Sequence, residues 1–195
     1  MIRSSKIILT ILVLALPVFA INATYTKITV DDPAALCLDG SPGAYYLSIG
    51  EVQEKVVLHF EGGGWCGSPD LSSTIESCYQ RSKSFLGSSK PFPYILNVTD
   101  GILSNSPSND FRSATKVLLL YCDGAGHQGY RANPLLYKDA NLYFRGTNIT
   151  IAQLNSLEDR IGLFSKAKEI LVTGASAGGL AALTWINYIK DKAST

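Results

Sequence analysis

The chain has 195 residues, 46% of them hydrophobic and 17% charged, which is enough apolar material for one domain with a sizeable core. Its 17 basic and 16 acidic side chains leave a formal charge of +1, which excludes the strongly basic surface of a nucleic-acid binder and the acidic tail of a solvating segment. No internal repeat or low-complexity run interrupts it.

Arg3 and Lys6 precede an apolar run from Ile7 to Val18, broken only by Thr10 and Pro17, and Val18-Phe19-Ala20 ends on a small residue. That succession reads as a secretory signal peptide over residues 1–20, with Ala23 a second cleavage position. The run falls short of the ~20 apolar residues a spanning helix needs, so no stable membrane insertion is expected after cleavage. Secretion changes how the cysteines read. Cys37, Cys66, Cys78 and Cys122 form an even set in an oxidising compartment, which predicts two disulfides with three connectivities open. Closeness in sequence favours Cys66 with Cys78, leaving Cys37 with Cys122. There is no C-x-x-C pair and neither His59 nor His127 clusters with the cysteines, so no metal site is expected, nor any cofactor. The sequons at Asn97 and Asn148 are expected on surface loops as glycosylation acceptors, whereas a third at Asn22 lies against the cleavage site.

Farther along, Leu36 to Gly43 is rich in turn formers. Ala44 to Gly50 is short, aromatic and ended by glycine, which predicts a strand in a hairpin with the next one. That next strand, Lys55-Val-Val-Leu-His-Phe60, is β-branched and aromatic, the pattern of a strand buried on both faces, and His59 within it reads as a hydrogen-bonded core residue. Asp70 to Arg81 is predicted as a short helix, and Pro91 and Pro93 open a loop region through Asn109. Lys116 to Tyr121 is a second buried strand, followed by a glycine-rich loop over residues 122–129 at its C-terminal end, where open α/β sheets bind ligands. Apolar residues at 151, 154, 157, 161 and 163 predict a helix over Ile149 to Leu163. A strand at Ile170 to Val172 and a helix over 177–190 complete the series. This order predicts an α/β fold, a mostly parallel sheet with flanking helices.

Gly174-Ala-Ser176-Ala-Gly178 stands between that last strand and helix, the setting of a nucleophile elbow. The turn lifts the serine hydroxyl out at the end of the sheet, and glycine two positions to either side avoids a Cβ clash with neighbouring backbone. The helix start beneath Ser176 adds positive partial charge where an oxyanion forms. Directly after the first buried strand comes Glu61-Gly62-Gly63-Gly64-Trp65-Cys66. Consecutive glycines are costly in backbone entropy and make sense where N–H groups must turn toward a ligand, so this segment reads as an oxyanion loop, with the Ala177 N–H as a further donor. Trp65 beside the glycines and His127 in the later loop are candidate substrate contacts.

These motifs, with Cys37-Leu-Asp-Gly-Ser-Pro42, Leu86-Gly-Ser-Ser-Lys90, Gly101-Ile-Leu-Ser-Asn105, Tyr121-Cys-Asp-Gly-Ala125 and Leu142-Tyr-Phe-Arg-Gly146, together resemble the plant-type pectin acetylesterase family, whose animal relatives include the Wnt-deacylating carboxylesterase Notum. The resemblance implies an α/β-hydrolase-like fold and hydrolysis of acetyl esters on a cell-wall polysaccharide, with acetylated pectin as the extracellular partner. It implies Ser176 as nucleophile and Gly63, Gly64 and Ala177 as oxyanion donors. Ala175, where plant members commonly carry cysteine, departs from the pattern but leaves the elbow intact, and the wording around His127 also differs. A serine hydrolase of this class needs an acid and then a histidine after the serine. After Ser176 the sequence has no histidine and a single acidic residue, Asp191. Residues 21–195 are therefore expected to be the N-terminal part of the domain, ending before its catalytic acid and base. The rival readings are a catalytically incomplete short form that binds polysaccharide or a partner protein, and a Notum-like deacylase of longer acyl esters. The helix over 177–190 is apolar nearly all round and expects cover on several sides.

Overall fold

In the computed structural model residues 23–193 are described; the expected signal peptide and the Asn22 sequon lie outside them. The elements in chain order are β1 (Ala23–Thr29), β2 (Ala44–Ser48), β3 (Val52–Phe60), α1 (Leu71–Ser82), β4 (Ile95–Val98), β5 (Ala114–Leu119), β6 (Leu135–Tyr137), β7 (Ala140–Leu142), α2 (Gly146–Ile161), β8 (Glu169–Gly174) and α3 (Ala177–Ala193). Six strands form one sheet in the order β4-β1-β2-β5-β3-β8, and β6 and β7 make a separate hairpin.

The α/β expectation is met by a sheet that is mixed. β3 runs parallel to both β5 and β8, while β2 is antiparallel to β5 and to β1, and β1 to β4. The parallel half is built from the runs that read as buried on both faces: Val56, Val57, Leu58 and Phe60 of β3 and Val117 and Leu119 of β5 are each at most 2% exposed. The predicted hairpin between β2 and β3 does not form, because β5 lies between them. Tyr45 and Tyr46 point to opposite faces and are both fully buried, which demands an interior position for β2. The connection from β2 steps over the start of β5 at Gly50, where a Cβ would sit 2.3 Å from the Ala114 carbonyl.

α2 and α3 cover one face, burying Ile149, Leu154, Leu157, Ala181, Trp185 and Ile189 against Tyr45, Leu58, Phe60 and Val117. The opposite face, with Tyr25, Tyr46 and Leu120, is covered by Phe92, Leu96 and Leu103. The supposed loop region after Pro91 therefore contains β4, which pairs with β1. α1 begins where Asp70 accepts a 2.9 Å hydrogen bond from the Ser73 N–H and packs on the β6–β7 hairpin. α2 ends at Gly162 in the left-handed conformation. Both disulfides have the connectivity that closeness in sequence favoured, Cys66–Cys78 and Cys37–Cys122. Closing the 85-residue separation of the second contributes on the order of 4 kcal/mol by chain entropy.

Neither remaining sequon lies in a loop. Asn97 is exposed on β4, whereas Asn148 sits in the first turn of α2 with its Oδ1 buried and unpaired and with Thr150 fully buried. Among the described residues no helix is long and apolar enough to cross a membrane.

α3 is covered on one side only. Leu180, Leu183 and Ile186 recur at every third position and are 54%, 75% and 44% exposed. Such a stripe favours association in water. Replacing Leu183 with lysine is expected to lower self-association of the 195-residue chain in light scattering and to leave its melting temperature within about 2 °C.

Candidate active site

Strand β8 delivers the elbow. Ser176 has φ 53°, a left-handed conformation that a non-glycine residue adopts only under constraint, and its side chain is exposed. The flanking glycines show what imposes it. A Cβ on Gly174 would lie 2.1 Å from the Gly178 carbonyl oxygen, and one on Gly178 would lie 2.1 Å from that of Phe60. The elbow therefore sits directly on the end of β3, and the Ala175 N–H donates to the Phe60 carbonyl at 3.3 Å. α3 starts at once, with Gly178 and Gly179 donating to the carbonyls of Ala175 and Ser176 at 2.8 and 2.9 Å.

The glycine loop leaves β3 beside the elbow. A Cβ on Gly62 would lie 2.4 Å from the Ala175 carbonyl oxygen and 3.3 Å from Ser176 Cβ. Gly63 and Gly64 have φ 143° and 63°; a Cβ at Gly64 meets nothing within 4 Å, so glycine is needed there for its conformation and not for room. The loop is tied at both ends, by Glu61 N–H to the Leu119 carbonyl (3.1 Å) and Cys66 N–H to that of Gly124 (2.9 Å). No hydrogen bond among the described residues uses the N–H of Gly63, Gly64 or Ala177. The glycine loop and the helix start thus leave N–H groups unpaired on either side of the elbow in sequence, beside an exposed serine.

A groove of about 260 Å³ opens alongside, lined by Trp65, Gly124, Ala125, Gln128, Ala177 and Leu180 among others. Trp65, one of the two candidate contacts, lines this groove and is 58% exposed. His127, the other, does not line it: it is 2% exposed, stacked on Tyr121 at 4.8 Å and edge-on to Phe60 at 5.2 Å. Its Nε2 lies 2.9 Å from the Glu61 carbonyl oxygen, which only accepts, so the ring carries its proton there. Burial in this aromatic cage holds its pKa down at about 4. Its own carbonyl accepts from Trp185 Nε1 (3.2 Å) and Thr150 Oγ1 (3.3 Å), so both helices grip this loop. His59 is half-buried in β3, with Nδ1 2.7 Å from Thr173 Oγ1.

Sequence reading missed the groups beneath the glycine loop. Glu61 Oε2 accepts from the Tyr121 N–H at 2.9 Å, and burial pushes its pKa up to about 7. Buried Asp123 accepts from the N–H groups of His127 and Gly129, both at 3.0 Å, and shapes the loop over 124–129. Arg81 reaches from α1 to the Gly63 carbonyl. The first two lie inside recognised motifs, but nothing in residue type distinguishes them from solvated carboxylates. Among the described residues no group of three or more His, Cys, Asp or Glu side chains is placed to hold a metal ion.

A family model described as Pectinacetylesterase matches residues 15–194. The chain belongs to the pectinacetylesterase family. Pectin acetylesterase 5 of Arabidopsis thaliana is 38% identical over 161 residues, covering 80% of this chain and 35% of its own length. Pectin acetylesterase 11 of the same plant is 33% identical over 188 residues, covering 92% and 45%. Mouse palmitoleoyl-protein carboxylesterase NOTUM is 33% identical over 158 residues, covering 80% and 29%. The structure of the Wnt deacylase Notum from Drosophila superposes with a TM-score of 0.74 at 26% identity, covering 86% of this chain and 47% of that one. The chain spans less than half the length of each of these relatives.

In this pectinacetylesterase chain the two groups under the loop titrate in opposition. Glu61 holds its proton more tightly folded than unfolded, so its contribution to stability is full below pH 4.5 and is lost as pH rises through about 7. His127 binds its proton less tightly folded, so its contribution is full above pH 6.5 and is lost as pH falls toward 4. Between those limits the slopes cancel. Glu61→Gln, which keeps an acceptor for the Tyr121 N–H, is expected to expose the histidine slope, with stability rising by about 2 kcal/mol from pH 4.5 to 6.5 in urea titrations. Gly178→Ala is expected to cost about 3 kcal/mol or more in the same assay, because the new Cβ meets the Phe60 carbonyl.

Proposed function

We propose that this chain carries the nucleophile and oxyanion site of a secreted carboxylic-ester hydrolase that removes acetyl groups from cell-wall pectin. The observation that carries the reading is Ser176, exposed at φ 53° beside the glycine loop, with the N–H groups of Gly63, Gly64 and Ala177 unpaired. Two pectin acetylesterases among its relatives and the residues of the family motifs support the substrate class.

The Ser176 Oγ attacks the acetyl carbonyl carbon while a general base takes its proton. The carbonyl π electrons move to oxygen, and that oxyanion is held by the three N–H donors. Collapse restores the carbonyl, breaks the bond to the sugar oxygen and passes the proton to that oxygen, leaving an acetyl-serine. Water then attacks the same carbon, acetate leaves, and the serine regains its proton. The base and its orienting acid lie outside residues 23–193 in this reading, since His59 is engaged with Thr173 and His127 is buried on Glu61.

Acetate release from acetylated pectin by the protein expressed from its complete coding sequence tests the reading. Ser176→Ala is expected to lower kcat by about 10⁴-fold or more with the melting temperature retained. A substitution without effect on acetate release would remove the serine mechanism. A preference for palmitoleoyl over acetyl esters would replace the substrate class with that named for the NOTUM relatives.

A further inference from the structure

We propose that Arg81 is a positioning residue for the oxyanion site: it holds the Gly63–Gly64 peptide in the one orientation that presents the Gly64 N–H to the substrate. The inference rests on the esterase reading of Ser176 and concerns a group that touches neither the serine nor the substrate.

Arg81 Nη1 donates to the Gly63 carbonyl oxygen at 2.8 Å. The described residues contain no cis peptide, and in a planar trans peptide the C=O and the next N–H point in opposite directions. Fixing the Gly63 carbonyl toward the guanidinium therefore fixes the Gly64 N–H away from it. Local geometry alone cannot do this. Gly63 and Gly64 both have positive φ and no Cβ, so no side chain of their own opposes rotation of the peptide between them. The rotated form would aim a carbonyl dipole at the developing negative charge and an N–H at the cation. The charge-assisted bond to Arg81 selects against that form twice over.

Arg81 is itself held rigidly enough to serve as a reference point. Its Nε donates to the Leu86 carbonyl at 3.1 Å, and its guanidinium lies 4.9 Å from the centre of the Tyr121 ring, which also stacks on buried His127. Its helix is tied to the far end of the glycine loop by the Cys66–Cys78 disulfide. Nη2 is buried without a partner, facing the position a Gly63 Cβ would occupy at 3.5 Å, so the guanidinium accepts an unsatisfied donor to keep this placement.

Arg81→Met and Arg81→Lys in the complete protein, compared with wild type and Ser176→Ala, test this. Arg81→Met is expected to lower kcat for acetate release about 100-fold, the scale of losing one oxyanion donor, with KM within about threefold. Arg81→Lys retains a single donor and a positive charge, and is expected to recover about tenfold of that loss. A crystal structure of either variant supplies a readout independent of turnover, and Arg81→Met is expected to show the Gly63–Gly64 peptide rotated or in two orientations. Wild-type kcat in both variants, or an Arg81→Met peptide unmoved from its present orientation, overturns the positioning role while leaving the serine mechanism standing. A rise in KM at unchanged kcat overturns it in favour of a substrate contact. Loss of Ser176 without effect on wild-type acetate release overturns the esterase reading itself, and this role with it.

Discussion

The parallel pairing of β3 with β8 is the constraint on which the rest depends. Its last rung, Phe60 opposite Gly174, ends both strands at the same level. The segments that leave them, Glu61 to Cys66 and Ala175 to Gly178, therefore start side by side with no intervening chain. The glycines at 62, 174 and 178 let these backbones approach to distances that any Cβ would forbid. A parallel pair can do this because both strands run the same way and release their loops at the same edge of the sheet. The antiparallel strands β1, β2 and β4 contribute to the core and widen the sheet away from that edge.

Beneath the site, charge and aromatic rings are stacked in an order that leaves each with its own partner. Arg81 lies on one face of Tyr121, and His127 lies stacked on that ring. Tyr121 in turn accepts from the Gly126 N–H through its hydroxyl at 2.8 Å and donates its backbone N–H to Glu61. The result joins three separate segments, the glycine loop, the 122–129 loop and α1, through side chains that are mostly withdrawn from water. Low local dielectric strengthens these bonds and makes any missing partner costly.

Elements with one strong local signal were legible in the sequence. β3, β5 and β8 were marked by unbroken apolar runs, α2 by its apolar spacing, and the elbow by glycines whose steric reason is local. What escaped reading depended on distant partners. β1, with Thr24, Thr26 and Lys27 among its residues, and the four-residue β4 carry no unbroken apolar run, so neither declares itself alone. The position of β2 turned on whether Tyr45 and Tyr46 would both be covered, which only the assembled sheet decides. His127 sits in a glycine-rich loop at a strand end, the usual address of a ligand contact, yet the aromatic cage of Phe60 and Tyr121 draws it inward. Arg81 was visible only as the end of a helix, because its acceptor at Gly63 lies 18 residues away in another segment.

The two disulfides differ in the span they close, 12 residues against 85, and that difference governs how cross-linking proceeds as the chain is made. Cys66 and Cys78 are synthesised almost together, and the short span between them closes at lower entropic cost than either span to Cys37. Their union withdraws two thiols from competition. Cys37, oldest of the set, is then left with a single eligible partner, which arrives only when β5 has been completed and can lie between β2 and β3. Loop length together with the order of synthesis thus favours the observed linkage over the other two.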